Sequence, residues 1–249
     1  MTMTHSKYYL LVDSEDRSTL SNSSSDFVIN LPRVYKDISK VKLLSYTITN
    51  SIYTVNNTNY RLNLIEAVGG ATTVVSLTQK NYNGSTLATE LKTQLDAVSA
   101  NGYTYTCSYD ANTLKFTIST INNFSLTFDL GASAYKILGF EKIPSSIAIA
   151  TSHTSDKIIR LDQPNTLMET NLTNHLKTTN NGVNCSFLLN LPSIGSTQTY
   201  SINNTYDYEI DDQEDHINQI CIRLKDRENR TLNFNGGNHQ FIFELIPKH

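Results

Sequence analysis

Histidine and cysteine, the side chains that most often bind metals or act as nucleophiles, are scattered along this chain. Their spacing contains no H-E-x-x-H, His-x-His or C-x-x-C pattern, the arrangements that bring metal ligands together. We therefore expect no metal site, no cofactor and no disulfide framework, with the thiols mostly buried and the histidines at the surface or near the termini. The residues concerned are His5, His153, His175, His216, His239 and His249, together with Cys107, Cys185 and Cys221.

The serine and glycine motifs of catalytic and phosphate-binding sites are incomplete. Residues 193–196 (Ser-Ile-Gly-Ser) and 83–85 (Asn-Gly-Ser) fall short of the G-x-S-x-G pattern of a nucleophile elbow. The pairs Gly69-Gly70 and Gly236-Gly237 lack the following lysine of a P-loop and are interpreted as turns. We expect no catalytic and no cofactor-binding residues, and a protein that is not an enzyme.

The strongest local concentration of charge is an acidic run over residues 206–215, YDYEIDDQED. Several carboxylate oxygens in one segment can bind a hard cation such as calcium. The run lacks the glycine that an EF-hand loop needs at its sharp turn. A solvated loop is therefore the favoured interpretation, with a calcium or intersubunit site as the alternative.

Charge and hydropathy along the 249 residues exclude several classes of partner. The net charge is −3 and charged residues make up 17% of the chain, with no basic stripe that would hold nucleic-acid phosphates. No apolar run is long enough to cross a bilayer, and the run at residues 8–12 is too short for the core of a signal peptide. Separated thiols agree with synthesis and assembly in a reducing cytoplasm. We expect no direct nucleic-acid partner and no membrane span.

Most apolar segments are short, rich in β-branched and aromatic residues, and separated by Asn, Gly, Asp or Ser clusters. This pattern is typical of many short strands in a sandwich or barrel. Pro32 should end its strand or keep it at the edge of a sheet, because proline cannot donate to a ladder. The predicted strands include Tyr8–Val12, Phe27–Leu31, Val41–Ile48, Tyr60–Ile65, Ser186–Leu191, Ile220–Leu224 and Phe241–Ile246.

A different pattern over residues 72–142 predicts a compact α+β domain. Ser85–Val98 carries one apolar helical stripe, which predicts a helix capped by Ser85 or Thr86. A hairpin, a third strand and a short helix that stops at Gly139 follow it; these segments are 103–109, 114–119, 124–128 and 132–138. Gly69-Gly70 and Pro144-Ser145-Ser146 are the expected entry and exit. We therefore expect this domain to interrupt a single β-sandwich built from residues 1–71 and 143–249.

Several segments, taken in order, resemble the penton and minor capsid proteins of virophages, Polinton-like viruses and related large double-stranded DNA viruses. Near the start these are Leu11–Arg17, a Ser-rich loop within 18–25, Asp26–Pro32 and Ile38–Ile48. Within the inserted domain, Leu138-Gly139-Phe140 is the most recognisable piece. Near the end, 220–226, 232–237 and 241–245 are similar to the last two strands of that family.

This resemblance implies a mainly β protein, an antiparallel single jelly-roll β-sandwich with an inserted small α+β domain. It also implies a structural capsid protein that forms the homopentameric penton at the fivefold vertices of an icosahedral virion. The expected partners are other copies of the chain and double-jelly-roll major capsid trimers, with minor capsid proteins or a host surface as further candidates. The resemblance implies no active site.

An alternative function is a minor capsid, fibre-base or host-attachment protein whose jelly roll binds carbohydrate. Jelly rolls also serve as lectins, and the 14 tyrosines could provide flat contact surfaces. The chain contains no tryptophan, so the sequence favours the capsid vertex.

Overall fold

The structure, a computed structural model, describes residues 7–18, 23–67, 70–142, 148–163, 165–173, 177–202, 208–209 and 216–248. In these ranges the chain is mainly β, and every strand ladder is antiparallel. Two helices, α1 (Gly84–Val98) and α2 (Tyr135–Leu138), and a 3-10 turn at Ser14–Asp16 complete the secondary structure of the described part. The strands are β1 (Tyr8–Asp13), β2 (Asp26–Lys36), β3 (Ile38–Thr49), β4 (Arg61–Glu66), β5 (Thr72–Ser76), β6 (Thr106–Asp110), β7 (Lys115–Thr127), β8 (Ala150–Thr154), β9 (Asn165–Thr170), β10 (Lys177–Thr178), β11 (Asn184–Cys185), β12 (Phe187–Asn190), β13 (Thr197–Ser201), β14 (Tyr208–Glu209), β15 (His216–Lys225) and β16 (His239–Pro247).

The chain divides into two units, a first unit of residues 1–52 with 163–249 and a second unit of residues 53–162. The second unit is wider than the expected insert, 72–142, at both ends. The reason is pairing: β4 hydrogen bonds to β5 and β7, and β8 hydrogen bonds to β7. The boundaries expected at 72 and 142 therefore fall inside this unit. Gly69 and residues 144–146, named as parts of the hinges, lie outside the described residues.

The first unit contains two four-stranded arrays, β1-β16-β3-β13 and β12-β9-β15-β2, with β14 added on β3. In chain order the eight main strands are β1, β2, β3, β9, β12, β13, β15 and β16, and they are lettered B to I here. The first array then has the order B-I-D-G and the second the order F-E-H-C. This is the strand order of a jelly roll, a double-sheet sandwich of two Greek keys. The second unit joins strands D and E of this sandwich in sequence, as the predicted interruption of one β-sandwich requires.

Alternation along the strands produces the core of the first unit. Phe241, Phe243 and Leu245 of β16 are fully buried and point to the same face, because successive strand residues point to opposite sides. Burial of each such side chain contributes about 1.5–3 kcal/mol. A hydrogen bond of 2.8 Å from the Asn190 N–H of β12 to the Tyr46 hydroxyl of β3 joins the two sheets.

Strand β2 continues past Pro32, where the sequence predicted an end or an edge position. It is the edge strand of its sheet, as expected for a strand that contains proline. Its pairing with β15 jumps from Asn30 opposite Gln219 to Tyr35 opposite Ile217, so residues 31–34 bulge out of the ladder. This bulge brings Arg33 and Val34 to the surface.

In the second unit, α1 packs on a sheet with the order β5-β4-β7-β6, and β8 pairs with β7. The predicted stripe is confirmed, since Leu87, Leu91 and Leu95 are fully buried. The predicted caps were wrong: the Asn83 side chain accepts the Thr86 N–H at 2.9 Å, which completes a capping box. The strands predicted at 114–119 and 124–128 form one long strand, β7.

Two histidines contradict the expectation of surface positions. His153 is buried, and its Nε2 lies 3.0 Å from the Phe124 carbonyl oxygen. His239 is 1% exposed and packs edge-on against Phe234, with 4.4 Å between ring centroids. Among the described residues neither ring nitrogen of His239 has a hydrogen-bond partner. Burial lowers the pKa of His239 to about 4, although the nearby Asp13 carboxylate raises it.

The short helix α2 ends at Gly139, as the sequence predicted, although it begins only at Tyr135. Gly139 has a φ of 74°, in the left-handed region that favours glycine, and its N–H bonds the Lys136 carbonyl oxygen. The Lys157 N–H donates to the Gly139 carbonyl oxygen at 2.8 Å. A Cβ at this position would lie 2.2 Å from the Lys157 carbonyl oxygen, so the position admits only glycine.

Acidification should destabilise the jelly roll through His239. Its folded-state pKa of about 4 lies below the ordinary 6.5, so between these values the unfolded chain binds more protons. The stabilisation is complete above pH 6.5 and is lost as the pH falls towards 4, by up to about 3 kcal/mol. We expect His239→Phe to flatten the fall in urea-unfolding free energy between pH 7 and pH 4. A slope in His239→Phe equal to that of the wild-type chain would contradict the assignment.

Replacement of Gly139 by alanine should destabilise the second unit by about 2–4 kcal/mol, from the left-handed backbone and the clash with the Lys157 carbonyl. Gly131→Ala is the matched control, because a Cβ there meets nothing within 4 Å. We expect the control to change the unfolding free energy by less than about 0.5 kcal/mol. Equal losses of unfolding free energy in the two variants, measured by thermal or urea unfolding, would show that the backbone conformation and close contact of Gly139 do not contribute to stability.

Candidate assembly surface

Those residues considered for metal binding and nucleophilic chemistry that the structure describes are not brought together into a metal site. No group of three His, Cys, Asp or Glu side chains that could hold a metal forms among the described residues. Of the acidic run at 206–215, only Tyr208 and Glu209 are described, and their backbone pairs with Val41 and Lys40. The rest of the run and His5, His175 and His249 lie outside the described residues.

The three cysteines form no disulfide. Cys185 is buried, and Cys107 and Cys221 are partly buried, so the expectation of mostly buried thiols holds in full only for Cys185. Burial raises the pKa of Cys107 to about 12 and also raises that of Cys221. Both thiols therefore stay protonated at neutral pH, where they are poor nucleophiles.

Glu66 is the most deeply buried carboxylate of the second unit, and its acceptors are used to hold α1 in place. It accepts hydrogen bonds from the Ser99 hydroxyl at 2.5 Å, the Asn101 N–H at 2.9 Å and the Tyr105 hydroxyl at 2.9 Å. Burial and this carboxylate raise the pKa of Tyr105. The cluster ties the end of α1 to β4 and to the segment before β6, which is a structural role.

A surface with different properties lies on β1, the edge strand of its sheet. Leu10 and Val12 point into the core, so Tyr9 and Leu11 must point outwards. Tyr9 is 62% and Leu11 65% exposed, and Ile242 of β16 lies directly opposite Leu11 in the ladder. β1 is therefore apolar on both faces, whereas a strand with one solvated face normally alternates apolar and polar residues.

A buried carboxylate holds this surface in place. The Glu244 side chain is only 6% exposed and lies 2.9 Å from the Lys7 ammonium and 3.9 Å from that of Lys42. The Tyr9 hydroxyl donates to the same carboxylate at 3.1 Å. These contacts pair the Glu244 carboxylate and restrict the Tyr9 ring, so a partner would meet a preorganised patch.

Arg33 of β2 packs on Tyr8, whose side chain lies on the face of β1 opposite to Tyr9 and Leu11. Its guanidinium lies 5.0 Å from the Tyr8 ring centroid and 4.6 Å from that of Tyr35, and the two rings meet edge-on at 5.2 Å. No carboxylate among the described residues pairs with Arg33. Val34, the next residue, is 47% exposed. We refer to Tyr9, Leu11, Ile242, Arg33 and Val34 as the β1–β2 side.

The β1–β2 side has the composition of a protein contact. Tyrosine and arginine are enriched in interface hot spots, and charged pairs are depleted from interface cores. The β1 edge also lacks the usual protection of an exposed strand: Tyr8–Val12 contains no lysine or proline, and its ladder with β16 has no bulge. The signal in the sequence was the unbroken apolar run Tyr8–Val12, because an edge strand of this kind must present apolar residues outwards.

The topology defines a jelly roll whose edge strand β1 presents apolar residues outwards. Among solved structures, the chain is similar to the crystal structure of the mavirus penton protein, with 10% sequence identity and a TM-score of 0.48. The similarity covers 98% of this chain and 100% of that one. No protein-family model and no curated protein matches the sequence. No described helix is both long and apolar enough to span a membrane.

Glu244→Gln should loosen the β1–β2 side. The amide preserves the shape and can still accept from Tyr9, but it removes the charge opposite Lys42, whose side chain is 20% exposed. We expect a loss of about 1–2 kcal/mol in urea unfolding. Lys7→Ala should cost less than about 1 kcal/mol, because Lys7 is half exposed. A larger effect of Lys7→Ala than of Glu244→Gln would contradict this ranking.

Proposed function

We propose that this chain is a structural capsid protein that forms the homopentameric penton at the fivefold vertices of an icosahedral double-stranded DNA virus or virophage. The observation that carries the proposal is the jelly-roll strand order of the first unit together with the exposed β1–β2 side. Jelly rolls recur in viral capsids. The ordered sequence segments that resemble penton and minor capsid proteins support the same function.

A ring of five requires a particular kind of contact. Each copy must touch the next through two different surfaces, because a surface that pairs with itself produces a two-fold dimer. Closure of the ring then adds the contacts of all five copies through effective concentration, so each contact can be modest. A rigid sandwich with a preorganised apolar edge meets this requirement.

The proposed partners follow from this position. Other copies of the chain form the ring, and the outer sides of the ring meet the major capsid protein around the vertex. Assembly takes place in the host cytoplasm, and the mature location is the capsid vertex of the virion. Minor capsid proteins or a host surface are further partners within the same proposal.

The mass of the purified chain in solution tests the pentamer. We expect light scattering across a range of concentrations to give a mass close to five chains, and negative-stain images to show rings with fivefold symmetry. A stable dimer, a stable trimer or a strict monomer would contradict the proposal.

A further inference from the structure

We propose that Asn101, in the turn after α1, is a site of spontaneous deamidation that converts it to aspartate and isoaspartate. The inference goes beyond the proposed function and concerns the second unit alone, since the reaction needs neither a pentamer nor a partner. Asn101 is exposed and is followed by Gly102. An Asn-Gly step is the most reactive setting for this chemistry, because glycine has no side chain that shields its nitrogen.

The reaction is an attack of a main-chain nitrogen on a side-chain amide. The Gly102 nitrogen loses its proton and forms a bond to Cγ of Asn101, and the bond from Cγ to Nδ2 breaks. Nδ2 takes up a proton and leaves as ammonia, which leaves a succinimide ring. Water then opens this ring: opening at Cγ gives aspartate, and opening at the main-chain carbonyl gives isoaspartate, whose main chain runs through Cβ. Water is the only co-reactant that the reaction consumes.

The chain contains four Asn-Gly steps, and their dipeptide sequence does not distinguish them. They begin at Asn83, Asn101, Asn181 and Asn235. All four asparagines are exposed, so access to water does not rank them either. The hydrogen bonds of the two reacting groups, the asparagine side chain and the glycine N–H, do rank them.

Two of the four steps have the asparagine side chain held in place. The Asn83 side chain accepts the Thr86 N–H at 2.9 Å as the cap of α1. The Asn235 Nδ2 donates to the Ser51 carbonyl oxygen at 2.6 Å. Ring closure turns the side chain towards the next main-chain nitrogen, so at both steps it must first break one of these bonds.

At a third step the attacking nitrogen is itself hydrogen bonded. The Gly182 N–H donates to the Thr179 carbonyl oxygen at 2.9 Å, in the turn between β10 and β11. This bond retains the proton that the reaction must remove. Attack on the Asn181 side chain therefore requires the turn to open first.

Neither reacting group is held in this way at Asn101. Among the described residues, the Asn101 side chain has no hydrogen-bond partner. The Gly102 nitrogen lies 3.5 Å from the Ser99 carbonyl oxygen, beyond the usual range of about 2.7–3.2 Å. Gly102 has a φ of 67°, and a Cβ there would meet nothing within 4 Å, so the reacting nitrogen lies in open space.

The products alter the contact that attaches α1 to β4. The Asn101 N–H donates to the Glu66 carboxylate at 2.9 Å, and the Tyr103 N–H donates to the Ser99 hydroxyl at 2.6 Å. Deamidation adds a second carboxylate close to Glu66 and next to the C-terminal end of α1, where the helix dipole disfavours negative charge. Isoaspartate also inserts one carbon into the main chain between these two anchors. We expect both products to loosen the last turn of α1.

Ageing of the folded chain at neutral pH, followed by peptide mapping with mass spectrometry, tests the assignment. Trypsin separates the four steps, because they fall on the peptides 81–92, 93–115, 178–223 and 231–248. We expect Asn101 to deamidate about threefold to tenfold faster than the other three, the factor that one intact hydrogen bond at each of those steps provides.

Two controls separate the effect of the fold from that of the sequence. In the guanidinium-unfolded chain all four steps should react at similar rates, because the protecting hydrogen bonds are gone. Asn101→Gln keeps an uncharged amide, but its longer side chain closes a ring far more slowly. On ageing, hydrogen exchange in the last turn of α1 should increase in the wild-type chain and stay constant in Asn101→Gln.

The outcomes are distinguishable. Equal rates at the four steps of the folded chain, or a faster reaction at Asn83, Asn181 or Asn235, would overturn the assignment. So would a folded chain in which Asn101 stays intact while the unfolded chain reacts. Fast deamidation of Asn101 without a change in hydrogen exchange would overturn the effect on α1 and support the site. The mass in solution tests the pentamer separately, so failure of either proposal leaves the other standing.

Discussion

The jelly roll depends on one strand, β16, which lies between β1 and β3 and pairs with both. Its inward side chains, Phe241, Phe243 and Leu245, are fully buried in the core, and its backbone forms hydrogen-bonded ladders with both β1 and β3. Without it, β1 would have no ladder and β3 would lose its longest one. The position of Leu11 and Glu244, and therefore of the candidate contact edge, follows from this insertion.

Electrostatics and burial act together at that edge. A carboxylate on an outward face would normally keep the surface hydrated, yet Glu244 is enclosed by two ammonium groups and a tyrosine hydroxyl. The charge then stabilises the position of Tyr9 and no longer opposes association.

Local patterns predicted many of the elements but not all of them, and not their limits. Alternation and short length predicted several strands, and the leucine stripe predicted α1, because these depend on neighbours in sequence. Strands β5, β8, β9 and β13 were not predicted. The extent of the second unit depends on β4 and β8 pairing with β7, which no local pattern reveals. His239 looked like a surface residue because its burial is decided by Phe234 and the strands around it. The outward face of β1 was readable from Tyr8–Val12, but only once its edge position was known.

Because the second unit interrupts the first in sequence, the two units can fold at different times during synthesis. At about 5–20 residues per second, β3 leaves the ribosome on the order of ten to forty seconds before β16. The second unit is continuous in sequence, so it can fold within that interval. The first three strands of the jelly roll cannot complete their ladders until β15 and β16 have been synthesised. Long-range pairing of this kind is slow and exposes strand edges to aggregation. Each nascent chain can therefore pass through a stage in which the second unit is folded and the jelly roll is not.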